Sequence, residues 1–291
     1  MVERNKPMGG RVCMVTGATG GIGKVTAHAL AQQGATVIVV GRSRTKAVAT
    51  VEQITRQTGN SSVEYLLADQ SVQEEIRRLA AEFKRRHDRL HVLVNNAGAF
   101  FMSRYKSADG IEMTFALNHL GYFLLTNLLL DVIKASAPAR IINVSSAAHE
   151  NAQIDFDDVQ GEQKFSGWQA YGQSKLANVL FTYELARRLE GTGVTANALH
   201  PGFVATNFGA NNFGIIGRGV KRVMNLVAGI SPEEGAETNI YLASSPAVEG
   251  VTAQYFVNKK AVRSSEASYD EEAARRLWEI SAEMVGLPVH A

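Results

Sequence analysis

Short apolar runs alternate with helix-length amphipathic segments along nearly the whole chain, and this alternation constrains the fold more than any other feature. β-rich runs stand at RVCMVT (11–16), ATVIVV (35–40), SVEYLLA (62–68), HVLVNN (91–96), RIINVSS (140–146), GVTANALH (193–200) and TAQYFV (252–257). Between them lie segments such as EEIRRLAAEFKRR (74–86). Strands alternating with helices make βαβ units, which build a parallel sheet with helices on both faces. Right-handed crossovers leave a Rossmann-type, doubly wound α/β fold with a mostly parallel seven-stranded sheet as the most economical topology. A chain of 291 residues with 45% hydrophobic content suffices for one such domain. No linker or repeat divides it. The expectation is a single domain over 1–291, its core at about 10–257, with a C-terminal extension at 258–291.

Two segments break the rhythm. One is a polar insert at 147–167, AAHENAQIDFDDVQGEQKFSG; the other, at 207–230, contains NFGANNFGIIGRG and is expected to be a substrate loop. Both follow the C-terminal ends of strands, the edge at which open α/β sheets bind ligands. SPEE at 231–234 then restarts a helix, with Ser231 as N-cap, Pro232 at the first position and Glu234 closing a capping box.

Lysine and arginine number 30 against 28 acids, a net charge of +2 that gives no concentrated basic surface for nucleic acid. Cys13 stands alone, so no intrachain disulfide forms and a reducing compartment is expected. MVERNKPMGG lacks the apolar core of a signal peptide. The apolar run Leu120–Ile133, interrupted by Asn127, is too short to span a bilayer and reads as a buried or interface helix. The expectation is a cytoplasmic protein without a membrane anchor.

After the first strand comes TGATGGIGK, 16–24, with glycines at 17, 21 and 23 on a strand-to-helix turn. Side chains there would keep a pyrophosphate from the amides and positive end of the helix. The spacing is G-x-x-x-G-x-G, and a glycine-rich turn alone also fits a tight turn with no ligand. The flanking strand and helix make dinucleotide binding the better reading. The second strand ends VVGRSRTK: Gly41 stands where an acid would bond the ribose of NAD, and Arg42 follows. A guanidinium holds a 2′-phosphate through paired hydrogen bonds, so NADP(H) is expected over NAD(H). Arg44 and Lys46 fit a solvated basic turn better than Arg42 does.

From about Gly10 to Val257 the sequence resembles the short-chain dehydrogenase/reductase family. The match rests on TGATGGIG at 16–23, Asp69, NNAG at 95–98, Asn118, the serines of NVSS, YGQSK at 171–175 and HPGFVAT at 200–206. GIGK, NHLGYF at 118–123, SSAAH at 145–149 and the long insert are most similar to its retinol-dehydrogenase-like branch. The resemblance implies a cofactor site of Gly17, Thr19, Gly20, Gly21, Ile22 and Gly23, with Arg42 and Asp69. Asn95, Ala97 and Gly98 would line the ribose. Pro201, Gly202, Val204 and Thr206 would sit near the nicotinamide. It also implies Ser146, rather than Ser145, as the hydroxyl that holds the substrate oxygen, and Asn118 as the residue holding a relay water for Lys175. Asn118 equally fits a side chain satisfying backbone groups in a helix kink.

The chemistry follows from residues as well. Tyr171 and Lys175, four apart, share a helix face. Moving a phenol from about 10 to about 7 takes roughly 4 kcal/mol. An ammonium about 5 Å away at an effective dielectric of 20 supplies roughly 3 kcal/mol, and a positive nicotinamide part of the rest. Tyr171 then exchanges a proton with a carbonyl oxygen as hydride moves. His119, His149 and His200 lack zinc-site spacing and read as structural, so no metal is expected.

Phe100, Phe101, Phe203, Phe208 and Phe213 are candidate apolar walls for a bulky hydrophobic aldehyde, ketone or alcohol, such as a retinoid, steroid or aromatic carbonyl. Each fits the core or a subunit contact equally well. The resemblance implies a homodimer or homotetramer through the helices containing 120–133 and 171–188. It also implies that membrane-bound relatives carry an apolar N-terminal anchor. Two other readings stand beside the NADPH-dependent reductase: a catalytically idle NADP(H)-binding regulator or scaffold, and a protochlorophyllide-reductase-like enzyme. The latter is disfavoured because the one cysteine lies in the first strand.

Overall fold

The computed structural model, which describes residues 6–202 and 230–288, turns all seven apolar runs into strands. These are β1 (Val12–Thr16), β2 (Thr36–Gly41), β3 (Val63–Leu67), β4 (Val92–Asn95), β5 (Ala139–Val144), β6 (Val194–His200) and β7 (Tyr255–Val257). They pair in parallel in the order β3-β2-β1-β4-β5-β6-β7. Strand order reverses at β1, so the crevice beyond the carboxyl ends of β1 and β4 is the switch point where ligands bind in such sheets.

Central strands are apolar on both sides because both faces are covered. In β1, Cys13 and Val15 join the core on one face and Met14 the core on the other. Helices α1 (Gly21–Gln32) and α2 (Arg44–Thr58) cover the first face, contributing Leu30 and Ile54. Helix α3 (Gln73–Arg86) covers the second, burying Ile76, Leu79, Ala80 and Phe83 at helical spacing. A short α4 (Met113–Phe115) leads through a π-helical stretch, Ala116–Leu120, into α5 (Gly121–Lys134). Then α6 (Gly167–Arg188) packs beside α5, and α7 (Pro232–Ser244) lies on the α1 face. The capping box of α7 forms as expected: Glu234 N donates to Ser231 Oγ at 3.1 Å, and Ser231 N to Glu234 Oε2 at 2.8 Å.

Three features depart from the sequence reading. An eighth strand, β8 (Lys260–Val262), pairs antiparallel with β7. It is three exposed residues joined by a turn in which Asn258 and Lys259 take positive φ, too short and polar to register as an apolar run. Next, the apolar run continues as unbroken helix over Met113–Lys134. Its 22 residues are long and apolar enough to cross a membrane, yet most of them are buried within this fold.

The third departure concerns association. Helix α6 was expected to offer a face to a partner subunit, but Tyr171 through Ala186 are all buried within one chain. The C-terminal extension does this. Its helix α8 (Glu271–Met284) packs on α5 and α6, with the Trp278 ring 4.9 Å from Phe123 and 5.7 Å from Phe181. Arg188 stacks over Trp278 at 4.1 Å. The expected interface on α6 is already filled by the chain itself.

Candidate active site

The phosphate end is built by backbone approach. Gly17 takes φ +65° in the turn after β1, and a Cβ there would lie 2.9 Å from Ala97 Cα. A Cβ on Gly23 would meet Asn96 Nδ2 at 2.5 Å and the Gly17 carbonyl oxygen at 2.6 Å. Gly20, by contrast, is the uncapped N-cap of α1 and has no atom within 4 Å of its Cβ position. Its open side and the free amides behind it fit a pyrophosphate, as helix N-termini do. Thr16 and Asn96, which sequence reasoning missed, lock this turn to the loop after β4. Thr16 Oγ1 accepts from Asn96 N at 2.8 Å and Ala97 N at 3.0 Å, and Asn96 Nδ2 donates to the Thr16 carbonyl at 2.9 Å.

The adenosine side is shaped by space and charge at the end of β2. A Cβ on Gly41 would meet Thr19 Cγ2 at 2.5 Å, so a larger residue there requires the Thr19 side chain to move. Arg42 follows, 68% exposed, with Nη1 3.3 Å from Asp69 Oδ2. Burial alone would raise the Asp69 pKa; two hydrogen bonds from Ser71 and the Arg42 guanidinium outweigh it and hold it below the usual value. An exposed ion pair of this kind is worth at most about 1 kcal/mol, little enough for a phosphate to displace. Arg44 turns away to the Tyr65 hydroxyl at 3.0 Å.

Asn95 corrects an expectation. Its amide is fully buried and donates to Thr126 Oγ1 at 2.9 Å and Asn143 Oδ1 at 2.8 Å, so the side chain braces the sheet and does not line a ribose. Gly98 is exposed and close to the chemistry: a Cβ there would be 3.2 Å from Asn118 Oδ1 and 3.5 Å from Lys175 Nζ. Gly202 N donates to His200 Nδ1 at 2.9 Å, just after Pro201. Val204, Thr206, Phe203, Phe208 and Phe213 lie outside the described residues, as does the 207–230 loop apart from Ile230.

At the chemical end four expected side chains converge at the carboxyl edge of β5. The Ser146 side chain acts on the Tyr171 phenol, lowering its pKa against the larger effect of burial. Ser145 is excluded from that role because its hydroxyl donates to the Lys175 carbonyl at 2.7 Å. Lys175 Nζ stands 5.6 Å from the Tyr171 ring centroid and donates to the Val144 carbonyl at 3.1 Å. Asn118 sits in the π-helical stretch, its amide pinned to Ala99 on both sides at 2.9 Å. The backbone-satisfying role is therefore filled. Its own carbonyl accepts from Asn178 Nδ2 at 2.9 Å.

The electrostatics reverse the sequence arithmetic. Burial pushes the Tyr171 phenol up to about 12, against which Ser146 acts only weakly. Burial also pushes the Lys175 amine down to about 7. The proximity argument counted charge and omitted desolvation, which dominates for groups this deep. An added positive charge beside the phenol is the ingredient the pair requires, and oxidised nicotinamide carries one.

The mouth of the crevice is aromatic. Phe100 is buried between Trp168, at 4.6 Å, and Tyr171, at 5.8 Å. Trp168 is 69% exposed, and Met102 and Tyr105 are exposed nearby in sequence to Phe100 and Phe101. Trp168 lies three residues before Tyr171 on the same helix face, a spacing that made it findable. The histidines are structural: His119 is fully buried and held neutral, its pKa lowered to about 4 by burial. Among the described residues no cluster suits a metal ion.

A family model described as short chain dehydrogenase matches residues 11–214. Retinol dehydrogenase 14 from Homo sapiens is 45% identical over 96% of this chain and 88% of its own length. Polyprenol dehydrogenase from Homo sapiens is 43% identical over 97% of this chain and 87% of its own. The solved Pseudomonas aeruginosa RhlG/NADP active-site complex superposes with a TM-score of 0.69 at 27% identity, covering 85% of this chain and 94% of that one.

Proposed function

The chain belongs to the short-chain dehydrogenase family, as an oxidoreductase of hydrophobic alcohols or carbonyls with a nicotinamide cofactor, and from that premise we propose its preferences and its acid–base residues. The proposed cofactor is NADP(H). The proposed substrate is a bulky hydrophobic aldehyde, ketone or alcohol of retinoid, steroid, polyprenol or aromatic type. Support for the cofactor comes from the crowding of Gly41 by Thr19 beside an accessible Arg42. The aromatic mouth around Phe100 and Trp168, and relatives named for retinol and polyprenol, support the substrate class.

Bound nicotinamide supplies or accepts the hydride. Tyr171 donates its phenolic proton to the carbonyl oxygen in reduction and recovers it in oxidation. Ser146, which acts on that phenol, holds the same oxygen while negative charge develops. Lys175, whose pKa lies at about 7, returns a proton to the tyrosinate at neutral pH. Asn118 retains a second carbonyl lone pair for a relay water. The observation that carries the reading is that Lys175 Nζ stands 5.6 Å from the Tyr171 ring centroid, with Ser146 acting on the phenol and the exposed Gly98 beside Lys175.

A panel of hydrophobic aldehydes and ketones, followed by loss of NADPH absorbance, tests it. Turnover of at least one, lost in Tyr171→Phe, is the expected result. The idle-scaffold reading draws support from the raised phenol pKa; NADPH binding without consumption across the panel would establish it. We propose a cytoplasmic location with this activity, since the one helix among the described residues that is apolar enough to cross a membrane is mostly buried in the fold; recovery in washed membranes would contradict this. A homodimer or homotetramer would pair through surfaces other than α6.

A further inference from the structure

Beneath the catalytic cluster lies a second polar layer that the proposed chemistry does not use. Asn178 is fully buried, seven residues after Tyr171 on α6. Its Nδ2 faces two carbonyl oxygens, those of Asn118 at 2.9 Å and Val144 at 3.3 Å. The Val144 oxygen is the one that also accepts from Lys175 Nζ, at 3.1 Å. Two acceptors can be met only by the NH2 side of an amide, so the Asn178 Oδ1 faces the other way, toward His119 Nδ1 at 3.4 Å. That oxygen requires Nδ1 to carry the hydrogen, which leaves Nε2 as an acceptor. Ser281 Oγ, on α8, stands 2.8 Å from Nε2 and supplies the donor.

Each polarity forces the next. We propose that His119 and Asn178 are positioning residues that join the C-terminal helix α8 to Lys175. Ser281 fixes the imidazole tautomer, the imidazole fixes the Asn178 amide, and that amide holds the two carbonyls that set the places of Asn118 and Lys175. The helix that fills the face of α6 thereby also props the active site. Every link is buried, so no water replaces a broken one without a vacated volume.

The test separates the hydroxyl from the packing. Ser281→Thr keeps the donor and Ser281→Val has the same shape without it. The expected result is near-normal turnover in Ser281→Thr and a kcat lowered about threefold in Ser281→Val, with NADPH affinity unchanged in both. Asn178→Asp, which cannot donate to either carbonyl, should lower kcat about tenfold or more at unchanged NADPH affinity. Should Asn178→Asp not fold, the Ser281 pair decides. The kinetic arm rests on the proposed activity. A second arm does not: titration of Lys175 followed by NMR of carbon-13-labelled lysine should move in Ser281→Val and stay in Ser281→Thr. Equal kcat and equal Lys175 titration in the two Ser281 variants, or equal losses in both, overturn the proposal.

Discussion

The two ends of the crevice are built by opposite means. At the phosphate end the working surface is backbone: glycines 17 and 23 let one loop lie against another, and of the charged pair there Arg42 is exposed and Asp69 half-buried. At the chemical end the working groups are side chains from which water is excluded, and burial moves both titrations by units. The comparison teaches that shape can be specified by absence of atoms, cheaply and locally. Reactivity has to be held against desolvation by a network extending to another helix.

If that contrast is right, the largest effect belongs to the chemical end. Tyr171→Phe should slow turnover by about a thousandfold while NADPH affinity, measured by fluorescence titration, stays within about twofold. Loss of affinity in step with turnover would dissolve the distinction between the ends.

Acid sensitivity should likewise follow the buried end. His119 has a folded-state pKa depressed to about 4 from 6.5, so its neutral form favours the native state. That stability is fully present above pH 6.5 and is lost as pH falls through 4, by on the order of 3 kcal/mol at 1.36 kcal/mol per unit. His149 and His200, also depressed by burial, act in the same direction. Urea midpoints across this window should fall more steeply in the natural protein than in His119→Gln.

At the phosphate end, Gly23→Ala should cost about 1–3 kcal/mol in denaturation, because its methyl meets the Gly17 backbone. NADPH affinity should fall with it. Smallest and most selective is Arg42→Ala, expected to weaken NADPH about tenfold and NADH hardly at all, the gap narrowing with salt. Equal losses for the two cofactors would remove the phosphate assignment.

What the sequence made legible follows the same division. Seven strands were visible because burial makes most of their residues apolar, and the α7 start because Ser231, Pro232 and Glu234 each carry a local rule. The glycine turn was visible because a missing side chain is itself a signal. β8 was not, since three exposed residues carry no pattern. Neither was the inward turn of Asn95, because adjacent strand residues differ only in which face they happen to occupy. Tyr171 and Lys175 were recognisable by type and spacing, Ser146 and Asn118 only through the family resemblance. The pKa directions of the first two were not, because they depend on burial that only the packed fold creates.

The central claim is that the Tyr171 phenol, held up at about 12 by burial, becomes a proton donor near neutrality only when a neighbouring positive charge offsets that burial. Ultraviolet difference titration of tyrosinate, with and without NADP+ and against Tyr171→Phe, measures this directly among the eight tyrosines. Tyr269 already lies below the ordinary tyrosine value in the free protein, so the account predicts one further tyrosine ionising below pH 10 in the NADP+ complex, a gain absent from the variant. An identical titration with and without NADP+ contradicts it.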